Sequence, residues 1–199
     1  MNNKIVVSNE VSSVRSALSR SANSADRIEI AVAYLSDADL IESWVRRGTP
    51  VKLLVALQAP SDPRVLRHLL DSFQVGLELC FYSARFHSKL LIFWKDGQPT
   101  SAQVGSSNFT GGGLNSNIET NVMVREPAHL AELAEHFNQI WEQSSLLQPT
   151  DLDAYEKYLD ETKTERDRLN RKAALIEDRV VLPRLRTKGT VRIAYALRS

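Results

Sequence analysis

Between residues 86 and 124 the chain gathers side chains able to handle a phosphate ester. His87 and Lys89 stand two apart in FHSKLLIFW (86–94), and side chains two apart along a strand share a face. Ser106 and Asn108 repeat that spacing in SAQVGSSNF (101–109), and Glu119 follows at the start of IETNVMV (118–124). A neutral imidazole can attack phosphorus and form a phosphohistidine, dividing one displacement into two easier ones. An ammonium and an amide can donate to the non-bridging oxygens, where charge must be held through the transition state. A carboxylate that accepts from the second imidazole nitrogen would fix its tautomer, and Glu119 is the candidate.

These residues need a scaffold, and the preceding segment supplies a rhythm for one. VSSVRSALSRSA (11–22) has helical spacing, RIEIAVAYL (27–35) is an apolar strand, and ADLIESWVRRG (38–48) is an amphipathic helix closing on Gly48. VKLLVAL (51–57) and GLELCFYS (76–83) read as further buried strands around DPRVLRHLLDSF (62–73), a helix opened by an Asp62 cap and Pro63. The expected fold is therefore α/β, a mixed and largely parallel sheet with helices on both faces. Segments 86–94 and 101–109 then predict an antiparallel hairpin with a longer loop at KDGQPT, and PAHLAELAEHFNQIWEQS (127–144) an amphipathic helix. Two regions are expected: a catalytic domain over 1–147 and a charged, basic extension over 148–199, with a long solvated helix or helix pair and a strand-like VRIAYAL near the end.

The motif residues resemble the phospholipase D superfamily. His87-Ser-Lys89 looks like its HxK element and Gly105-Ser106-Ser107-Asn108-Phe109 like its GSxNF element, and Glu119 matches the acidic residue carried after the glycine turn by many single-motif members. One position departs: where the family usually places Asp after four residues beyond the lysine, this chain has Trp94, and Asp96 lies two further on. The resemblance implies a phospholipase D-like fold and a metal-independent phosphodiesterase without a cofactor. It implies an active site built from two HxK motifs, one histidine as nucleophile and one as general acid. With a single motif, the chain is expected to form a homodimer through its active-site face, the two His87 rings titrating as a coupled pair. The branch it resembles is that of bacterial single-motif nucleases, including restriction and phage-defence endonucleases, so DNA or RNA is the expected partner, with further subunits or a separate recognition domain left open. A lipid phosphodiesterase and a catalytically silent nucleic-acid-binding module are the alternatives.

Composition narrows the rest. Of 199 residues, 25 are basic and 24 acidic, which excludes nucleic-acid binding by bulk charge. The charge is uneven, because residues 163–199 hold 11 bases and only 4 acids. Arg166, Arg168, Arg171, Lys172, Arg184, Arg186 and Lys188 are the candidate phosphate contacts there, against the plainer reading of a solvated helix and linker. Cys80 is the single cysteine, so no internal disulfide can form and a thiolate zinc site is not expected. His129, Glu132 and His136 mimic metal-ligand spacing but flank an apolar stripe and read as a solvated face; no metal is expected. Gly111–Gly113 read as a turn or a phosphate-cradling nest, and His68 as a packed or partly exposed helix residue. Trp44 and Trp141 read as core anchors, while Trp94 is as open to base stacking as to packing. The first thirty residues show no secretory pattern and no apolar stretch spans a bilayer, so a cytoplasmic protein without membrane contact is expected.

Overall fold

The structure, a computed structural model, describes residues 6–7, 13–82, 85–176 and 179. Arg184, Arg186, Lys188 and VRIAYAL lie outside the described residues. The chain divides into two compact units, 1–152 and 153–199.

The first unit is built on one sheet of eight strands: β1 (Val6–Val7), β2 (Arg27–Val32), β3 (Val51–Ala56), β4 (Leu77–Tyr82), β5 (Lys89–Lys95), β6 (Gln98–Gly105), β7 (Asn121–Val124) and β8 (Ser145–Leu146). Their order across the sheet is β1-β7-β6-β5-β2-β3-β4-β8. Among the described residues only β2–β3 and β3–β4 pair in parallel; the other neighbours are antiparallel. The α/β mixed sheet is as expected, but its parallel share is smaller. Helices join only the first three long strands, and only such crossovers return the chain in the same direction; β6 follows β5 by a hairpin, and the segment 106–120 leads from β6 into antiparallel β7.

Helices cover both faces. α1 (Val14–Ala22), α2 (Asp39–Arg46) and α3 (Pro63–Ser72) lie on one, where Leu18, Ile41, Trp44, Leu66 and Leu69 pack with Ile28, Ile30, Val32, Leu91 and Phe93. α4 (Pro127–Glu142) lies on the other, where Leu130, Ala134 and Phe137 meet Ala31, Leu54, Cys80, Leu90 and Ile92. Strand parity explains the division: β5 sends Leu91 and Phe93 one way and Leu90 and Ile92 the other. Trp44 is a core anchor, edge-on to Phe93, and Trp141 stacks on Phe137. Cys80 is buried, and desolvation pushes its thiol up from the ordinary range. Asp62 caps α3 by accepting from the Arg64 N–H at 2.9 Å, with Pro63 at the first position.

The hairpin from β5 to β6 differs from the expected one. Its loop is only Asp96-Gly97, with φ of 51° and 75°, the two left-handed residues of a tight two-residue turn. The extra length sits inside the ladder, where Trp94 faces Pro99 but Phe93 faces Ser101, leaving Thr100 as a bulge. Asp96 serves this turn, and its N–H donates to Asp26 at 2.6 Å. Trp94 is also structural: Arg27 lies over its ring at 4.0 Å and its Nε1–H donates to Glu29 at 2.8 Å.

Glu29 is a carboxylate buried mid-strand on the α4 face, 3.5 Å from Arg27. Desolvation raises its pKa above the ordinary 4.5, outweighing the lowering by Arg27, the Trp94 bond and Lys52. A carboxyl with a raised folded pKa binds more protons folded than unfolded, so its contribution to stability is full below about 4.5 and is lost as pH rises through the folded pKa. Glu29→Gln removes that dependence. In urea unfolding at pH 4 and pH 7, the variant should therefore gain stability relative to wild type on going to pH 7; a constant difference would show that Glu29 titrates alike in both states.

The second unit consists, in its described part, of the continuation of one helix, α5 (Pro149–Ile176), rather than a helix pair. No helix among the described residues is long and apolar enough to cross a membrane.

Candidate active site

β5 begins and β6 ends where β2 and β3 finish, so the motif residues collect at the carboxyl edge of the parallel strands. There β2 has a parallel neighbour on one side and an antiparallel one on the other. His87 precedes β5 and Ser106 and Asn108 follow β6; none lies in a strand as the sequence suggested.

The loop carrying His87 is stitched down on both sides. Phe86 is buried in the α4-face core and its carbonyl accepts from Gln58 Nε2 at 3.2 Å, while the Ser88 carbonyl accepts from the Ala33 N–H at 3.0 Å. His87 is thereby exposed, with the ring of Tyr34 edge-on at 5.5 Å. Lys89 Nζ lies 3.0 Å from His87 Nδ1 and 3.4 Å from Nε2, and donates to the His87 carbonyl at 2.9 Å. Desolvation lowers the Lys89 pKa from its ordinary value, while the Glu119 charge opposes the shift. Lys89 is thus a partly dehydrated cation held beside an imidazole.

On the other loop, residues alternate in and out. Ser107 and Phe109 are buried, and Ser106 and Asn108 face outward between them. Phe109 sits edge-on to Trp44 at 6.3 Å; its N–H donates to the Tyr34 carbonyl, and its own carbonyl accepts from the N–H groups of Ser36 and Asp37. Asn108 Oδ1 accepts from the Tyr34 N–H at 3.1 Å, which turns its NH₂ end away from the backbone as a donor. Ser107 is tied to buried Asn121 by two bonds, its N–H donating to Oδ1 at 3.3 Å and its Oγ accepting from Nδ2 at 2.8 Å.

Ser106 and Glu119 form a pair. The Ser106 hydroxyl donates to Glu119 Oε2 and accepts from the Thr120 N–H at 3.0 Å, while Glu119 Oε1 accepts from Asn117 Nδ2 at 3.4 Å. Ser106 is therefore fully engaged as a brace for the carboxylate. Among the described residues Glu119 makes no hydrogen bond to His87 of its own chain, so the expected orienting contact is not present within one copy. The glycine run is a π-helical turn, Gly112–Ser116, whose Gly113 lies so close to Asn108 that an added Cβ would fall 2.5 Å from the Asn108 carbonyl oxygen. It supports Asn108 from behind.

Sequence reasoning missed Tyr34, Asn117 and Asn121. Tyr34 stands at the carboxyl end of the first core strand, a position from which α/β sheets present side chains to ligands, and that placement was the available signal. Of the basic candidates in the extension, Arg166, Arg168, Arg171 and Lys172 lie on α5, with Arg168 paired to Glu165 at 2.6 Å. Among the described residues no group of three or more His, Cys, Asp or Glu is placed to hold a metal. His68 Nε2 is 3.2 Å from Glu42, on the surface of α3.

Residues 17–141 match the family described as "Cardiolipin synthase, PLD-like domain". The chain belongs to this phospholipase D-like family. Among solved structures it is similar to the phospholipase D family member Nuc from Salmonella typhimurium, with a TM-score of 0.61 and 20% identity over 72% of this chain and 97% of that one. It is also similar to NucT from Helicobacter pylori, with 0.57 and 14% over 73% and 99%. Polyphosphate kinase from Porphyromonas gingivalis gives 0.50 and 15% over 77% of this chain and 29% of that one. At these identities the three show the shared fold. Among curated proteins none matches.

Two outcomes test the site's construction. A Cβ on Gly105 would lie 2.3 Å from Asn121 Oδ1 and 2.4 Å from the Thr120 carbonyl, so Gly105→Ala should force β6 and β7 apart and cost about 1–3 kcal/mol in chemical denaturation. Unchanged stability would mean that the strands yield freely there. Glu119→Gln removes the charge that raises the Lys89 pKa, so NMR titration of Nζ should place it lower still than in wild type; an upward shift would contradict the electrostatic link.

Proposed function

We propose that this phospholipase D-like chain is a phosphodiesterase that cuts nucleic acid, DNA foremost, through a covalent intermediate on His87 and without a metal ion. The observation that carries the reading is the Lys89 ammonium, partly desolvated and 3.0 Å from an imidazole nitrogen of His87. A cation so placed is fitted to a non-bridging phosphate oxygen, and the outward NH₂ of Asn108 is fitted to another. Together they supply the charge stabilisation that a divalent ion supplies elsewhere.

In the first step a neutral His87 nitrogen attacks phosphorus. The P–N bond forms as the P–O bond to the leaving sugar oxygen breaks, and that oxygen takes a proton from a second, protonated imidazole. In the second step water attacks phosphorus, the second imidazole accepts its proton, and the P–N bond breaks to restore His87. The second imidazole is His87 of a second copy, facing the first across a two-fold axis. Glu119, braced by Ser106 and Asn117, is the carboxylate available to hold an imidazolium across that axis. The basic residues of α5 favour a polyanion as substrate.

The test is cleavage of plasmid, single-stranded DNA and RNA in excess chelator. Activity should persist, vanish in His87→Ala, and fall by about 10²–10³ in Lys89→Ala and Asn108→Ala. When wild-type and His87→Ala chains are mixed equally and allowed to exchange, activity should drop to about a quarter, the share of dimers with both histidines; a drop to one half would give each chain its own site. Activity that requires magnesium, or headgroup release from phospholipid vesicles without cutting of nucleic acid, would overturn the mechanism or the substrate class respectively.

A further inference from the structure

Lys89 is a partly dehydrated cation that, among the described residues, makes no ion pair, so something other than a carboxylate holds it in place. Its Nζ lies 3.0 Å from Nδ1 and 3.4 Å from Nε2 of His87. A point so nearly equidistant from both ring nitrogens stands over the imidazole face, because in the ring plane it would collide with the carbon between them. The ammonium therefore leaves the in-plane lone pair of the unprotonated nitrogen free. The Tyr34 ring closes a second side. It meets the His87 ring at an interplanar angle of 79°, and Nζ stands over it 5.8 Å from its centroid, within the range of cation–π attraction. The two rings form a corner, and the ammonium occupies it.

Tyr34 is built to keep that place. It stands two residues past β2 between Ala33 and Leu35, both fully buried, so alternation turns its side chain out of the core and toward the site. Its N–H donates to Asn108 Oδ1 at 3.1 Å and its carbonyl accepts from the Phe109 N–H at 3.2 Å, which pins the backbone on both sides. Its hydroxyl makes no hydrogen bond among the described residues, which leaves the ring as the part of the side chain engaged with the site. A carboxylate in the same position would hold the ammonium but would also compete with a phosphate for it. A ring face attracts the cation without taking up its N–H donors as an anion does. The His87 carbonyl accepts one of them at 2.9 Å, and the rest remain for a phosphate oxygen.

We propose that Tyr34 is a positioning residue of this site: its ring holds the Lys89 ammonium over the face of His87 in place of a counter-carboxylate, so that the cation keeps its orientation and stays open to a phosphate oxygen. The consequence for turnover rests on the phosphodiesterase reading; the contact between ring and ammonium does not.

Varying the π density of residue 34 at constant shape, in the full chain, tests this. Tyr34→Phe and phenylalanines with increasing numbers of ring fluorines at position 34 are compared by NMR titration of Lys89 Nζ. Fluorine withdraws π density, so the Lys89 pKa should stay near wild type in Tyr34→Phe and fall with each fluorine, as the charged form loses its partner. A flat series overturns the proposal, and it decides the matter even where Tyr34→Leu fails to fold. In the cleavage assay Tyr34→Leu should lower kcat by about 10²-fold with KM little changed, and Tyr34→Phe should recover most of that loss. An equal loss in Tyr34→Phe would give the role to the phenol oxygen and overturn the proposal as well. If the titration steps with fluorine while even the wild type cuts no nucleic acid, the contact stands and the nuclease reading fails.

Discussion

Burying the ring of Phe109 against Trp44 decides which way the residues beside it can point. A fully buried phenyl ring is worth about 1.5–3 kcal/mol, with an edge-to-face partner adding about 0.5–1.5. Backbone bonds from Phe109 to Tyr34, Ser36 and Asp37 then lock the end of one loop to the end of β2. With Phe109 inward, extended backbone must send Asn108 outward, Ser107 inward and Ser106 outward. The same lock positions Tyr34, whose N–H orients the Asn108 amide and whose ring meets His87. Half of the candidate site is thus set by an apolar contact, that of Phe109 with Trp44.

The other half is electrostatic and works against solvation. Removing Lys89 from water destabilises its charged form, and Glu119 opposes that cost from across the site. Glu119 is itself occupied by Ser106 and Asn117, which keeps it from collapsing onto the lysine. An ammonium that is partly dehydrated and, among the described residues, makes no direct ion pair retains attraction for an incoming anion.

Much of this was legible before any coordinates. Period-two and period-3.6 patterning located the main strands and helices, and the Asp62-Pro63 cap appears as expected. The candidate residues His87, Lys89, Ser106, Asn108 and Glu119 were visible because few other residue types can do the chemistry proposed for them. What escaped was what depends on pairing across long separations. The antiparallel share of the sheet is decided by which strands lie adjacent, not by any one strand's composition. Trp94 was ambiguous because its partners, Arg27 and Glu29, are more than sixty residues away. Asn121 looks like an ordinary strand-end residue until Ser107 is placed beside it. Gly113 was read for its freedom, whereas its use is the absence of a Cβ against Asn108.

The bulge at Thr100 makes the separation between the two motif elements a matter of parity. Paired residues on β5 and β6 share a face, and Thr100 shifts the register by one between the turn and the site. Deleting that one residue while keeping the Asp96-Gly97 turn would only straighten the ladder, with Phe93 still facing Ser101 and the faces of Asn108 and Phe109 unchanged. Deleting a paired residue from one strand alone would exchange the inward and outward sets. Adding one residue to each strand would leave the faces as they are. Related chains that keep this site can therefore lengthen the hairpin in steps of two, or by one only if they gain or lose a bulge, which makes the count between the lysine and the asparagine a record of how each hairpin is built.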